Sequence, residues 1–338
     1  MKGQGQEMGA TLEIIVTHWK EDWAVCSKFF KMLDVQRGMK NGEVRVSIVQ
    51  DGKEGRLKTG LLMKKYPFIS SVTEIPHQGV SAARNFGMDN AQADWVMFCD
   101  CDDMFYSCDS LRAILDGIRE GGDRMDLLYG PMLIETRNTN GVWMTIPENW
   151  NAVFIHAKIW RLAWLREKNL RFRSLAYSED SLFCAEAALE LDAKRIGKLK
   201  QTIYMWCLRA GSCTSSPENE RRNRRDLASH RCMMPGICMD RGKPYEALTH
   251  AARGIFDCYH EYTGGTIPAE EVKELEERVG RHLVIPWADR IRGGVDGDDL
   301  VQLWKVSRES TIRKGQWKEE TVSFRDWLQR IKTDYGEG

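Results

Sequence analysis

The stretch Gly79–Asp103, GVSAARNFGMDNAQADWVMFCDCDD, decides the fold of this chain. After the first glycine, apolar residues recur at helical spacing, which predicts a helix over Val80–Ala91. Trp95–Cys99 is a short, wholly apolar run of the kind that forms a buried central strand of a parallel sheet. That strand runs directly into the acidic segment Asp100–Asp103. Helix, buried strand and acidic loop therefore follow one another, which indicates an α/β fold.

Three carboxylates, those of Asp100, Asp102 and Asp103, follow the predicted buried strand. Like charges repel, and burial disfavours the ionised form, so something must offset this charge. Ligands of open α/β sheets bind at the carboxyl ends of the strands. A divalent cation that holds a phosphorylated ligand fits both the charge and the position. The alternative is that these aspartates only cap the helix beginning near Ser110, although Asp109 is already placed for that role.

The composition is that of a soluble globular protein. The 338 residues are 42% hydrophobic and 29% charged, enough for one large domain and an appended piece. The formal net charge is zero, so charge gives no argument for nucleic acid or membrane. No apolar run approaches the ~20 residues of a membrane span, and the polar N-terminus does not resemble a signal peptide. Ten scattered cysteines without a paired C-x-x-C indicate reduced thiols in a cytoplasmic enzyme, with Cys101 as a small filler.

Three further strands and their helices complete the predicted sheet. Leu12–Thr17, Glu43–Gln50 and Val72–Ile75 are strands, and each is followed by a helical pattern. This alternation predicts a doubly wound, mainly parallel sheet. Asp51 and its glycine end the second strand, where a carboxylate suits a base or ribose edge, although Asp-Gly is also a common turn. Neither G-x-G-x-x-G nor a P-loop lysine motif is present, which disfavours dinucleotide-binding and P-loop proteins.

The pattern G-x-S-x-A-R-N-x-G, from Gly79 to Gly87, followed by an apolar strand ending in D-x-D-D, resembles the donor-site segment of family 2 glycosyltransferases. The resemblance implies a GT-A fold, a Rossmann-like mixed sheet flanked by helices. It also implies an inverting, metal-dependent enzyme that uses a nucleotide sugar. On this basis residues 1–216 are predicted to form the glycosyltransferase domain. Residues 217–338, which the resemblance does not cover in detail, have the pattern of a helical C-terminal appendage.

The resemblance assigns a set of residues to the nucleotide-sugar donor: Thr17, Trp19, Asp51, Arg84, Asn85, Asp100 and Arg209. In this set Asp51 would face the base and Asp100 the ribose, while Arg209 would neutralise phosphate charge from a loop that closes over the diphosphate. Two departures weaken the match: His18-Trp19-Lys20 replaces a small residue, tyrosine and asparagine, and Gln50 stands where an acid is usual. The alternatives to a role in donor binding are that Trp19 is a core residue, that Arg84 is an exposed helix residue and that Arg209 is a surface residue in a plain turn.

The resemblance also assigns a metal pair and a catalytic pair. Asp102, with Asp103 nearby, would hold Mn²⁺ or Mg²⁺. Asp180, preceded by Glu179, would be the base that deprotonates the acceptor, because the family carries a Glu-Asp pair ahead of an aromatic residue here. The alternative is an ordinary helix start, in which Ser178 is the N-cap and the helix dipole stabilises both acids. A basic helix over Ile155–Lys168 is predicted to precede this pair.

These assignments together predict an inverting hexosyltransferase that moves a sugar from a nucleoside diphosphate sugar, in first place a UDP-sugar, to an acceptor hydroxyl. The default acceptor is a glycan or a lipid-linked sugar, and a protein side chain or a hydroxylated DNA base stays open. Two alternatives remain: a nucleotidyltransferase, and a non-catalytic sugar-nucleotide-binding protein of the same fold. The basic run within Glu218–Arg225 could contact nucleic acid or anionic lipid, although such runs are more often solvated helix faces.

Overall fold

The computed structural model describes residues 10–38, 42–55, 57–137, 140–148, 153–209, 219–265, 267–291, 300–301, 303–305 and 322–336. The chain divides into two compact units, Met1–Ser215 and Ser216–Gly338. The first is a mixed α/β unit, and the described part of the second is helical. The predicted fold class, a largely parallel α/β sheet with a helical C-terminal region, is thereby confirmed. The assignment of residues 1–216 and 217–338 as functional domains stays a prediction.

The strands of the first unit are β1 (Leu12–His18), β2 (Val44–Asp51), β3 (Ile69–Ile75), β4 (Trp95–Asp100), β5 (Met104–Phe105), β6 (Leu127–Tyr129), β7 (Met132–Arg137), β8 (Trp143–Glu148), β9 (Lys158–Arg161), β10 (Ile196–Lys198) and β11 (Tyr204–Trp206). In the described residues, the central sheet has the order β10-β6-β9-β4-β1-β2-β3. Its strands β1 to β4 are mutually parallel, and only β9 runs against its two neighbours. The carboxyl ends of β1, β2 and β4 therefore meet at one edge.

The helices of this unit are α1 (Trp23–Asp34), α2 (Thr59–Lys65), α3 (Val80–Asn90), α4 (Ser110–Gly121), α5 (Leu162–Glu167) and α6 (Glu179–Ala188). They cover the faces of a sheet whose central strands are buried on both sides, as the apolar run of β4 predicts. Helix α3 packs closely on β1, because a Cβ at Gly87 would lie 2.3 Å from Cγ2 of Ile15. A glycine is therefore needed at this contact for steric reasons.

The prediction of one helix over Ile155–Lys168 is wrong. Residues 158–161 form β9, which pairs antiparallel with β4 on one side and β6 on the other, and only Leu162–Glu167 are α-helical. The apolar pattern of such a short segment fits a helix and a strand equally well. Here β4 and β6 supply hydrogen-bond partners for its backbone groups, which favours the strand. As a result, Lys158 lies in a strand and His156 lies in the turn just before it, and neither residue is helical.

A smaller sheet has the order β5-β11-β7-β8 in the described residues. Strands β7 and β8 form an antiparallel hairpin, and residues 138–139 between them lie outside the described part. Strand β11 pairs with β5, directly after the acidic segment, and with β7 on its other side. The small sheet therefore brings the residues after Tyr204 back to the acidic loop.

The helical unit comprises, among its described residues, α7 (Glu220–Asp240), α8 (Pro244–Thr263), α9 (Ala269–Val279), α10 (Ile285–Trp287) and α11 (Phe324–Tyr335). The basic run pairs within this unit: Arg221 and Arg225 bind Glu274, and Arg224 binds Glu271, both on α9. These ion pairs compensate the positive charge of three arginines of the run, so the charge does not require a nucleic acid or lipid partner. None of the described helices is long and apolar enough to cross a membrane. The nine cysteines described in the whole chain are free thiols.

We expect Gly87→Ala to destabilise the first unit by about 1–3 kcal/mol, because the added methyl group overpacks the contact with Ile15. Gly60→Ala is the matched control, since a Cβ at this exposed helix position meets no atom within 4 Å. That substitution should be neutral or slightly stabilising. Urea denaturation of both variants measures the difference, and a Gly87→Ala protein as stable as the wild type would contradict the close packing of α3 on β1.

Candidate active site

Predicted donor residues lie together at the carboxyl edge of the central sheet. Thr17 stands beside Asp100 in the register of β1 and β4, and its hydroxyl donates a 2.7 Å hydrogen bond to Asp100 Oδ1. The sheet order reverses between these two strands, because β2 and β3 continue on the far side of β1. Such a reversal opens a crevice at the carboxyl ends of the strands. The acids therefore lie at the edge where ligands of such sheets bind.

Arg84 links the acidic loop to the predicted catalytic pair. It is 3% exposed, and its Nη2 lies 3.2 Å from Asp100 Oδ1 while its Nη1 donates a 2.6 Å hydrogen bond to Glu179 Oε1. The alternative of an exposed helix arginine is therefore wrong. A guanidinium with two carboxylates gives charge-assisted hydrogen bonds, which are the strong ones. Arg84 consequently joins two segments 79 residues apart in sequence, Asp100 and Glu179.

Asn85, the next residue of α3, binds the segment that leads into α6. The Asn85 amide donates to the carbonyl of Phe172 at 2.9 Å and accepts from its N–H at 3.0 Å. The Phe172 ring stacks on Phe183 of α6, with ring centroids 4.1 Å apart. In this structure Asn85 thus positions the loop before α6, and its predicted contact with the donor stays a prediction.

The charges of Asp100 and Glu179 respond differently to this arrangement. Burial opposes ionisation of Asp100, but Arg84 and His156 outweigh it and hold the pKa of Asp100 well below its usual value. Burial and the neighbouring Asp180 raise the pKa of Glu179 to about 7, against the opposing charge of Arg84. One carboxylate is therefore fixed in its ionised form, while the other can hold or release a proton near neutral pH.

Asp102 and Asp103 have different surroundings. Asp102 accepts a hydrogen bond from Nε of Arg209, whose Nη2 lies 3.2 Å from Glu21 Oε1. Asp103 is 2% exposed, and its carboxylate accepts from the Tyr204 hydroxyl at 2.8 Å and from the Cys207 N–H at 2.9 Å. These partners lie away from the start of α4, so the aspartates do not act simply as its caps. Residues 210–214 of the predicted diphosphate loop lie outside the described part.

Two side chains at this edge were not predicted as site residues. His156 is buried, with Nε2 3.1 Å from Asp100 Oδ2 and 3.6 Å from Asp103 Oδ2, and its ring stacks on Tyr204. Burial lowers the pKa of His156, but the hydrogen bond to Asp100 raises it above its usual value overall. Burial is also the first cause that raises the pKa of Asp103, to about 8. His156 is brought to the acids by the pairing of β9 with β4, and Tyr204 by the pairing of β11 with β5. Sequence spacing therefore gave no indication of these contacts.

A second group of predicted donor residues lies at the end of β2. Asp51 is buried and accepts hydrogen bonds from the N–H groups of Gln78 and Gly79, at 2.8 and 2.9 Å, and it lies 2.8 Å from Nδ1 of His77. The Trp19 ring stacks on His77 with 4.9 Å between centroids. Trp19 is therefore a half-buried platform and not a core residue. Asp51 fixes the turn that leads into α3, and its own contact with a base stays a prediction.

Asp180 lies at the start of α6, where its Oδ1 accepts a 2.7 Å hydrogen bond from the Ser181 N–H. The residue before the acid pair, Ser178, has a φ of 68°. This left-handed conformation is uncommon for a residue other than glycine and clusters at functional sites. Ser178 is the N-cap by position, but its side chain makes no capping hydrogen bond to the helix. The two acids are thus held at a helix start that is not an ordinary capped one.

The side chains at this edge fit a divalent cation. In the described residues, Asp100, Asp103 and His156 place one ligand atom each within 4.8 Å of one another. Carboxylates suit Mg²⁺ and Mn²⁺. Burial raises the pKa of Asp102 as well as that of Asp103, so a bound cation would favour their ionised forms. Asp102 lies outside that group of three because it faces Arg209. The assignment of Asp102 and Asp103 as metal ligands stays a prediction.

Comparison with known proteins agrees with this geometry. Residues 13–161 match the model of glycosyl transferase family 2. The resemblance to family 2 glycosyltransferases seen in the sequence is confirmed over these residues. The match contains the acidic loop, Arg84 and His156, but it ends before the Glu179–Asp180 pair.

Solved structures of TarS from S. aureus share the fold. A structure of TarS 1–349 in complex with UDP-GlcNAc superposes with a TM-score of 0.62 at 17% identity, over 93% of this chain and 95% of that one. TarS 1–349 in complex with UDP gives 0.55 at 18% identity, over 93% and 94%. A longer TarS chain gives 0.57 at 16% identity, with 55% of that chain covered. No curated protein matches the chain in sequence. The GT-A fold predicted from the sequence is confirmed.

We expect Arg84→Met to destabilise the first unit by about 3–5 kcal/mol at neutral pH, because two carboxylates lose their buried partner. The pKa values of Asp100 and Glu179 should then rise, so both acids take up protons as the pH falls and the loss should be smaller at about pH 5 than at about pH 8. Arg171→Met is the control, because the exposed pair of Arg171 with Asp89 is worth less than about 1 kcal/mol. Equal losses in the two variants at both pH values would contradict the role of Arg84 as a buried bridge.

Proposed function

We propose that residues 1–216 form an inverting glycosyltransferase that moves a sugar from a nucleoside diphosphate sugar to an acceptor hydroxyl. The observation that carries the proposal is the Arg84 bridge, which joins Asp100 at the predicted donor edge to Glu179, beside Asp180. Sugar transfer needs a donor site and a proton acceptor close together, because the acceptor hydroxyl must attack while it loses its proton. The family match and the shared fold support the same class of reaction.

The donor would lie across the carboxyl ends of β1, β2 and β4. Its base would stack near Trp19 and His77, beside Asp51, and its ribose would face Thr17 and Asp100. The guanidinium of Arg209 would balance the negative charge of the diphosphate. UDP is the first nucleotide to test, since TarS of the same fold has been solved with UDP and with UDP-GlcNAc.

A divalent cation, Mn²⁺ or Mg²⁺, would be held by Asp102 and Asp103. When bound, it would act as a Lewis acid that neutralises charge on the leaving diphosphate. In the chain itself, Arg209 pairs with Asp102, while Tyr204 and the Cys207 N–H orient Asp103. These contacts turn the Asp102 carboxylate towards Arg209 and hold the Asp103 carboxylate by two hydrogen bonds.

Asp180 would accept the proton of the acceptor hydroxyl. Its half-buried carboxylate lies beside Glu179, which burial keeps partly protonated near neutral pH. Glu179 would therefore be the positioning member of the pair, held by Arg84, and Asp180 would be the base. A single displacement with one base and no covalent intermediate inverts the anomeric configuration. The acceptor is a hydroxyl-bearing molecule, with a glycan as the first class to test.

Asp180→Asn should keep donor binding and lower turnover by ~10²–10⁴-fold, because general base catalysis typically contributes that much. UDP release from UDP-sugars with Mn²⁺ and a glycan panel measures turnover, and calorimetry with UDP measures binding. Asp34→Asn, an exposed acid at the end of α1, is the control and should change neither. If turnover of Asp180→Asn stays within a few-fold of the wild type, the base is another residue. Pyrophosphate release in place of UDP release would support a nucleotidyltransferase.

Asp102→Asn should remove the part of UDP affinity that depends on Mn²⁺, since the amide keeps the shape of the side chain and loses its charge. Titration of UDP with and without Mn²⁺ measures this difference in the variant, in the wild type and in Asp34→Asn. An Asp102→Asn protein whose affinity still rises with Mn²⁺ as in the wild type would show that the cation is held elsewhere. His156→Gln then tests the group formed by Asp100, Asp103 and His156.

A further inference from the structure

Four side chains with sulfur, nitrogen or oxygen donor atoms lie close together at the acidic loop Asp100–Asp103, and one of them, Cys101, belongs to the loop. His18 ends β1, Cys26 lies in the first turns of α1, and Cys101 stands between Asp100 and Asp102. The ligand atoms of these three residues lie within 4.8 Å of one another. Glu21, from the loop between β1 and α1, lies next to this group of three, with its carboxylate close to Cys101 and His18. None of these four residues has a role in the glycosyl transfer proposed above.

The spacing of the donors is close to that of a tetrahedral ion site. Cys26 Sγ and Cys101 Sγ are 3.5 Å apart, Cys101 Sγ and Glu21 Oε2 are 3.5 Å apart, and His18 Nε2 lies 4.0 Å from Glu21 Oε2. Around one tetrahedral Zn²⁺, the corresponding separations are about 3.8, 3.6 and 3.4 Å. Of these three separations, only that between His18 and Glu21 exceeds the tetrahedral value, by roughly half an ångström.

Two simpler explanations fit less well. The two sulfur atoms are too far apart for a disulfide, whose bond is about 2.05 Å long. A pair of buried thiols can be ordinary packing, but this contact is polar. His18 Nε2 lies 3.2 Å from the Glu21 carbonyl oxygen, and Glu21 Oε2 accepts from the Trp19 N–H at 2.9 Å beside the thiols. His18 is 2% exposed, and Cys26 and Cys101 are 0% and 1% exposed. The four groups together have the composition of a ligand set.

The chemistry of the set selects the metal. Thiolate and imidazole ligands suit Zn²⁺, whereas Mg²⁺ and Mn²⁺ prefer the carboxylates on the other side of the loop. The Glu21 side chain is 15% exposed, so this ligand would lie at the solvent side of the site. Two thiolates, one carboxylate and Zn²⁺ would carry a net charge of −1, and Arg209 lies 3.2 Å from the other oxygen of Glu21 to balance it.

We propose that His18, Glu21, Cys26 and Cys101 form a tetrahedral zinc site that fixes the acidic loop. Each thiol loses its proton to solvent as its sulfur binds the ion, and the neutral imidazole and the carboxylate complete the set. Because Cys101 separates Asp100 from Asp102 in the chain, the ion pins the backbone that carries both carboxylates. The site is structural in kind, since four protein ligands leave no open position for substrate.

Cobalt(II) tests this ligand set directly, because thiolate ligation gives intense charge-transfer absorption and tetrahedral geometry gives strong d–d bands. The full chain is reduced, stripped with a chelator and titrated with Co²⁺. We expect one equivalent to bind with both spectral features, and an excess of Zn²⁺ to bleach them. Cys26→Ser with Cys101→Ser should abolish the charge-transfer band. Cys108→Ser, a half-buried thiol of the same unit outside the cluster, should keep it.

Two further measurements keep the proposal falsifiable if the double variant does not fold. Glu21→Gln should weaken Zn²⁺ affinity, measured against a chromophoric chelator, by at least the ~10–100-fold that loss of an outer-shell partner costs. Zn²⁺ should also raise the Tm of the wild type and of Cys108→Ser. A reduced wild type without thiolate charge transfer, or a band that Cys26→Ser leaves unchanged, would overturn the proposal. So would a Cys26–Cys101 disulfide that re-forms in the stripped chain and excludes Co²⁺.

Discussion

The buried guanidinium of Arg84 is the interaction on which the site depends. It lies between Asp100, at the end of the central strand, and Glu179, at the start of a helix that follows 79 residues later. Without this cation two carboxylates would share a dry environment and repel each other. Its charge lowers the pKa of Asp100 and limits the rise in the pKa of Glu179, and its geometry sets the distance between the two acids. The donor edge and the acid pair are therefore joined by one side chain.

The other carboxylates at the carboxyl edge of the sheet are also paired with cationic or hydrogen-bonding side chains. Arg209 meets Asp102, His156 meets Asp100, and the Tyr204 hydroxyl meets Asp103. Burial and the neighbouring acids nevertheless raise the pKa of Asp103 to about 8, against the opposing charge of His156. A cation is the ligand that such an arrangement would favour. The acidic loop would thus present hard oxygen ligands on one side and the soft thiol of Cys101 on the other, so the two faces would select different metals.

The fold could be predicted from the sequence where the local hydrophobic pattern fits only one type of secondary structure. The apolar run of β4 and the helix of α3 gave the correct elements, and the acids after β4 gave the correct edge of the sheet. Segment 155–168 was misassigned because its apolar spacing fits a helix and a strand equally well, and only β4 and β6 select the strand. Sequence spacing likewise held no information on His156 or Tyr204, which reach the acids through strand pairing. The partners of Arg84 and Asn85 depend on contacts across the fold, so their positions could be predicted but their bonds could not.

The central claim is that the acidic edge binds a nucleoside diphosphate and a divalent cation together. Isothermal titration of the full chain with UDP, and with GDP and ADP for comparison, in the presence and absence of Mn²⁺, tests it most directly. We expect saturable binding of one nucleoside diphosphate, and affinity that rises with Mn²⁺ because the ion neutralises charge between the diphosphate and the aspartates. Absence of binding by every nucleotide, with Mn²⁺ as well as without it, would contradict this claim and leave only a shared fold.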